Sequence, residues 1–139
     1  GGKILLSATE SFVPGKEGKK RVDGVYAAVF ARGDFVKDNP KTVEAALRAL
    51  KNAAEWMEAN PDAAADIVAK DINIPKPVVL ETFSKIHNQL IMSSDWAKEF
   101  DEKAKYLASI KELKKPTTAA EAFDPKPLKQ VCPDCVKGM

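Results

Sequence analysis

The segment from Asn39 to Pro61 most strongly constrains the fold of this 139-residue chain. Asn39 is a helix-capping residue type, and Pro40 fits the first helical turn, where an amide proton is not needed. Apolar side chains then recur every three or four residues and line one face of a predicted helix: Val43, Leu47, Leu50, Ala54 and Met57. Asn60 and Pro61 repeat the start signal and predict a second helix directly after the first. We therefore expect two helices that meet at a fixed corner and bury an apolar face.

The composition is that of an ordinary folded domain. Apolar residues make up 45% of the chain and charged residues 30%, which argues against disordered and fibrous classes. The 22 basic and 20 acidic residues are interspersed and give a net charge of +2, so no nucleic-acid partner is predicted. No run approaches the roughly 20 apolar residues that cross a bilayer.

Two apolar runs predict buried strands. The first is Lys3 to Ala8, and the second is Val25 to Ala31, which is apolar at successive positions as in a strand covered on both faces. The intervening stretch from Val13 to Arg21 is rich in glycine and charge and predicts a turn or loop.

Further helices are predicted in the second half of the chain. A stripe that begins at Val79 and ends at Leu90 predicts a third helix. Ser93, Ser94 and Asp95 are the capping candidates for a fourth helix, which Pro116 ends. The tail from Thr117 to Met139 is predicted to be irregular apart from one helical turn near its start.

The order of these elements resembles a known family. An apolar strand (Val25 to Arg32), a short turn, the Asn-Pro helix that ends in AEWMEANP and an Ala-rich second helix are similar to the second half of a periplasmic substrate-binding protein. The resemblance is to the nitrate, sulfonate and taurine type that serves ABC importers. It covers roughly Val22 to Leu128 and rests on the order of elements.

The resemblance implies an α/β fold of the type 2 periplasmic-binding-protein kind, here a mostly helical C-terminal portion with two short strands. Residues 1–21 are expected to be the end of the second lobe and a loop, residues 22–115 the crossover strand and helices, and residues 116–139 an irregular tail. A signal sequence and the first half of the protein are then expected upstream of Gly1.

The same resemblance implies the setting and the partners. The protein is expected to be periplasmic or extracellular, or anchored to a membrane through a missing N-terminus. Because the first half supplies much of the cleft, we expect either a companion N-terminal fragment or a strand-exchanged dimer.

The function implied by the resemblance is capture without chemistry. The ligand is expected to be a small anionic molecule such as nitrate, a sulfonate or taurine, delivered to a membrane permease; no enzyme activity, cofactor or metal is expected. Tyr26 lies where the chain crosses between the lobes, and Ser7 and Thr9 are hydroxyl residues at a strand end, so these three are the predicted ligand-binding residues. Ordinary strand-end hydrogen bonding is the alternative for all three.

The motif Cys132-Pro133-Asp134-Cys135 brings two sulfur atoms together, either on one metal ion or in a disulfide. A zinc site needs four ligands, and the only histidine, His87, is distant in sequence. A terminal disulfide or two idle thiols is therefore the favoured interpretation, while a redox role and a zinc ion shared between two chains stay open. For His87 a structural role is favoured over a catalytic one.

A helical sensor or protein-interaction module built on the same scaffold is the alternative function. Such a module is expected to expose a large apolar patch, whereas a binding lobe is expected to show a polar concavity. The aromatic residues Trp56, Trp96 and Phe100 border or lie on apolar faces and are predicted to pack in the core.

Overall fold

A computed structural model describes Lys3, residues 10–18 and residues 27–139. The chain divides into two compact units, residues 1–32 and residues 33–139. In the first unit, Ser11 and Gly18 form an antiparallel bridge with two backbone hydrogen bonds of 3.0 Å. The chain reverses between them through Gly15, whose φ of +76° is one that glycine adopts without strain. The turn predicted from Val13 onward is confirmed as far as Gly18.

The predicted second strand does not form in the part of it that the structure describes. Residues 27–31 take no regular structure and are exposed, and Phe30 is 88% exposed. A strand needs a neighbour for its backbone groups, and the described residues supply none for this segment. Val25 and Tyr26 lie outside the described residues, as does the predicted first strand apart from Lys3.

The second unit is mainly helical. Its elements are α1 (Gly33–Asp38), α2 (Pro40–Ala59), α3 (Pro61–Ile72), α4 (Lys76–Phe83), β1 (Met92–Ser93), α5 (Ser94–Ser109), α6 (Ala119–Ala122), α7 (Lys126–Val131), a 3₁₀ turn (Pro133–Cys135) and β2 (Val136–Lys137). The two strands pair in parallel, with Met92 opposite Val136. Among the residues that the structure describes, no helix has the length and apolar composition needed to span a membrane.

The two predicted Asn-Pro boundaries are confirmed, although the asparagines act on the preceding helix. The backbone N–H and the side-chain Nδ2 of Asn60 both donate to the carbonyl of Trp56, at 2.9 Å. Asn39 donates in the same way to Phe35, at 2.9 and 3.2 Å. Neither side chain caps the following helix. Each asparagine therefore closes one helix while the next residue, a proline, opens another.

The third predicted helix is shorter than its apolar stripe. α4 ends at Phe83, and residues 86–91 have no regular structure. The Ser84 hydroxyl donates to the carbonyl of Glu81 at 2.7 Å, so a local side-chain bond competes with continuation of the helix. The prediction that the helix continues to Leu90 is wrong for this reason.

An aromatic cluster joins α5 to the tail. The ring of Phe123 meets those of Trp96 and Phe100 edge to face, with centroids 4.6 and 5.1 Å apart. The prediction that Trp96 and Phe100 pack against other side chains is thus confirmed, although both residues are half-buried and not fully in the core. The core position predicted for Trp56 is wrong, since that side chain is 44% exposed.

The tail is more ordered than predicted. Its first helix, α6, forms at the predicted turn and begins with a capping box between Thr118 and Glu121. Hydrogen bonds from the Thr118 backbone and hydroxyl lower the pKa of Glu121. The backbone N–H of Ala119 also donates to Asp101 of α5, at 2.6 Å. These bonds place Phe123 against α5, and the chain then forms α7, the 3₁₀ turn and β2.

The buried core is built from small side chains. α3 packs on α4, and α2 packs on α7. The buried apolar residues are Ala64, Ala65, Val79, Ala104, Ala119, Leu128 and Cys132. No large side chain among the described residues is fully buried, so the helices share a thin core.

An ion-pair bridge reinforces the pairing of α3 with α4. The Lys76 ammonium at the start of α4 lies 2.8 Å from the carboxylates of both Asp62 and Asp66 on α3. The hydrogen bonds to Asp62 and then Asp66 raise the pKa of Lys76. The Lys76 ammonium therefore stays charged through neutral pH, and its contribution to the bridge is lost as the pH rises above the ordinary lysine range.

The N-cap of α5 provides a first test of this fold. Ser93 is extended, and its hydroxyl accepts a hydrogen bond from the Trp96 backbone N–H at 3.2 Å. We expect Ser93→Ala to lower the free energy of unfolding by about 1 kcal/mol, measured by urea denaturation. Ser109→Ala, which removes the same group at the other end of α5, is the control and should change stability little. Equal losses would contradict the capping role.

Leu128 tests the contact between α7 and α2. It is 6% exposed and is the buried residue of α7. We expect Leu128→Ala to cost about 3 kcal/mol of unfolding free energy, because it leaves a cavity in a core with few large side chains. The matched control is Leu107→Ala on α5, where the leucine is 39% exposed. A smaller loss at Leu128 than at Leu107 would contradict the packing.

Candidate functional site

The three predicted ligand-binding residues are not placed by the structure. Ser7, Thr9 and Tyr26 all lie outside the described residues. Their assignment to a ligand site stays a prediction.

The described residues form a concavity at the corner between α2 and α3. It has a volume of about 350 Å³ and is lined by Met57, Glu58, Pro61, Phe83, Ile86, His87, Asn88 and Gln89. The corner exists because Asn60 closes α2 and the next residue, Pro61, starts α3 in a new direction. The opposite wall exists because α4 ends at Phe83 and the chain continues without regular structure.

One long-range hydrogen bond joins the two walls of this concavity. The Gln89 amide donates from Nε2 to Oε1 of Glu58 at 3.2 Å, across 31 positions of sequence. Both residues are exposed, so the bond lies at the rim. Sequence periodicity gives no signal for it, because it assigns Glu58 to the solvent face of α2 and Gln89 to the part of the third helix, beyond Phe83, that does not form.

The lining combines an apolar floor with neutral hydrogen-bonding groups and one carboxylate. Met57, Phe83 and Ile86 supply the apolar part, while Asn88 and Gln89 supply amide donors and acceptors. His87 is exposed on the loop, whereas the sequence places it beside the core stripe of a helix. Glu58 is the one carboxylate in this lining.

The cysteine pair is settled by the structure in favour of a disulfide. Cys132 and Cys135 are bonded to each other, so neither sulfur is a free thiolate for zinc. Among the described residues there is also no group of three or more histidine, cysteine or acidic side chains arranged to hold a metal ion.

Comparison with known proteins gives a family match over part of the chain. The NMT1/THI5-like family matches residues 18–64, which include α1, α2 and the first residues of α3. This family has the periplasmic-binding-protein-like fold, and the mostly helical second unit with its two short strands is compatible with that fold.

Curated relatives point the same way. Proteins from Brucella abortus, Brucella suis and Brucella melitensis, described only as binding proteins, are each 31% identical to this chain over 84 residues. The match covers 60% of this chain and 24% of each relative, so the matched part spans about a quarter of their length. No solved structure shows a significant match. Together the matches support a relation to substrate-binding proteins rather than to enzymes.

Proposed function

We propose that this chain is part of the solute-binding component of an ABC importer, and that it captures a small anionic molecule such as nitrate, a sulfonate or taurine. One observation carries the proposal. The family match over residues 18–64 contains both Asn-Pro corners, which are the features that give the sequence its resemblance to such binding proteins.

The proposed mechanism is enclosure of the ligand without a chemical step. Two lobes close over the ligand, and hydroxyl and backbone amide groups replace the water around it. Tyr26 is the proposed principal contact because it matches the segment that crosses between lobes, and Ser7 and Thr9 are further hydroxyl donors. A membrane permease then receives the ligand from the opened form.

The proposed location is the periplasm or the cell exterior. The disulfide between Cys132 and Cys135 supports it, since disulfides persist in oxidising compartments and are rare in the cytosol.

A protein-interaction or sensor module is the second candidate, and surface exposure favours it. Large apolar side chains remain exposed on several elements, including Ile67 at 60%, Ile72 at 52% and Tyr106 at 64%. A protein-interaction module needs apolar side chains at its surface, and these residues supply them. A companion lobe of a binding protein would cover these side chains equally well, so the two candidates differ in whether a solute binds.

Ligand binding separates the candidates. We expect nitrate or taurine to raise the melting temperature of the chain in its associated form, with its companion lobe or second copy, by an amount that grows with the logarithm of ligand concentration, as ligands that bind only the native state do. Isothermal calorimetry with the same compounds gives the affinity, and glycerol serves as the neutral control. A chain unaffected by nitrate, taurine and methanesulfonate would favour the interaction module.

Variants of the predicted site refine this test. Tyr26→Phe should weaken binding roughly tenfold by removing one hydrogen bond to the ligand. Tyr106→Phe is the matched control, because Tyr106 is 64% exposed on α5. Ser7→Ala and Thr9→Val should each have a smaller effect than Tyr26→Phe. Equal effects of the two tyrosine variants would contradict the assignment of Tyr26.

The proposed strand-exchanged second copy predicts association of the isolated chain. Phe30 and Val29 are 88% and 63% exposed in a segment without regular structure, and an unpaired apolar segment favours strand pairing with another chain. Light scattering should therefore give a mass above the 15.1 kDa of one chain. Val29→Ser with Phe30→Ser should restore a monomer, and a monomeric wild type would count against the association.

A further inference from the structure

The disulfide lies between the two contacts that hold the C-terminal segment. Cys132 follows α7, which packs on α2, and Cys135 precedes β2, which pairs with β1. Cys132 is 9% exposed, whereas Cys135 is only half-buried. Cys135 is therefore the more accessible residue of the pair.

The short separation of the cysteines limits what the bond does for global stability. Only two residues lie between them, and closing so small a loop removes little freedom from the unfolded chain. The disulfide also joins no distant elements. Its main effect is therefore local: it fixes the 3₁₀ turn and thereby the direction in which β2 leaves α7.

The direction of β2 determines how the last residues meet α5. Ser93 pairs with Lys137 in the parallel bridge, and the same Ser93 caps α5 through its hydroxyl. Gly138, at φ +67°, passes so close to Ser94 that an added Cβ would lie 3.0 Å from the serine Oγ. A change in the turn is thus transmitted to the N-terminus of α5.

We propose that Cys132–Cys135 is a reversible thiol–disulfide exchange site that controls the docking of the C-terminal segment on α5. The reductant is a dithiol. Its first thiolate attacks Sγ of Cys135, the sulfur–sulfur bond breaks, and Cys132 leaves as a thiolate that takes a proton from solvent.

The second thiol of the reductant then attacks the mixed disulfide and releases Cys135, which is protonated in turn. The protein gains two electrons and two protons, and the dithiol becomes a disulfide. In the reduced protein the turn keeps the hydrogen bond from the Cys135 N–H to the Cys132 carbonyl, 3.0 Å, but loses its covalent closure. β2 and Gly138 are then free to leave α5.

Hydrogen exchange of the full chain tests the proposal. Dithiothreitol should reduce the disulfide without denaturant, shown by the mass of two alkylated thiols. Peptides covering residues 90–95 and 133–139 should then exchange about tenfold faster, because local opening becomes more populated. Peptides from α3 and α4 should not change, and reoxidation should restore the original rates.

The variant Cys132→Ala/Cys135→Ala provides the matched control. It should exchange like the reduced protein with or without dithiothreitol. Unchanged exchange at β1 and β2 after reduction would overturn the proposal. Faster exchange throughout α3 and α4 would also overturn it, because it would show that the disulfide stabilises the whole fold. Reduction of the disulfide only after the chain unfolds would overturn it as well.

Discussion

The packing of α7 on α2 is the contact on which the architecture of the second unit depends. These helices are distant in sequence, and Leu128 is the buried side chain that α7 contributes. From this contact the chain passes through the 3₁₀ turn to β2 and reaches β1, immediately before α5. The segment 126–137 therefore ties α2 to α5 through two strands of two residues each, and the disulfide fixes the 3₁₀ turn that leads from α7 into β2.

The core of the second unit is thin because most of its side chains are small. Four of the seven buried apolar residues are alanines, which let helices approach yet remove little apolar surface from water. Larger side chains such as Ile67 and Tyr106 stay at the surface. The exposed apolar area is consistent with a part that packs against further protein, which both candidate functions require.

The sequence predicted the elements whose boundaries are set locally. Pro40 and Pro61 each mark a helix start that neighbouring residues alone determine, and both starts are found. Of the three capping candidates for α5, the structure selects Ser93. Prediction from the sequence failed where tertiary contacts or competing local hydrogen bonds determine the bounds of a helix. The stripe through Leu90 is broken by hydrogen bonds at Ser84, and α7 forms in a proline-rich tail because α2 offers it a surface. Pairing between positions as distant as Glu58 and Gln89 leaves no periodic signal, so the concavity could not be predicted.

The ion-pair bridge consists of Lys76, Asp62 and Asp66, and loss of charge at the lysine affects it differently from loss of charge at either aspartate. Asp62 and Asp66 are four residues apart on α3 and share one ammonium. Neutralising either aspartate leaves the lysine with a partner, so the junction is redundant with respect to its acids. Acetylation of Lys76 would instead leave two like charges on neighbouring turns, which repel each other. A modification that adds only an acetyl group would thus remove the attraction between α3 and α4 and leave a repulsion within α3.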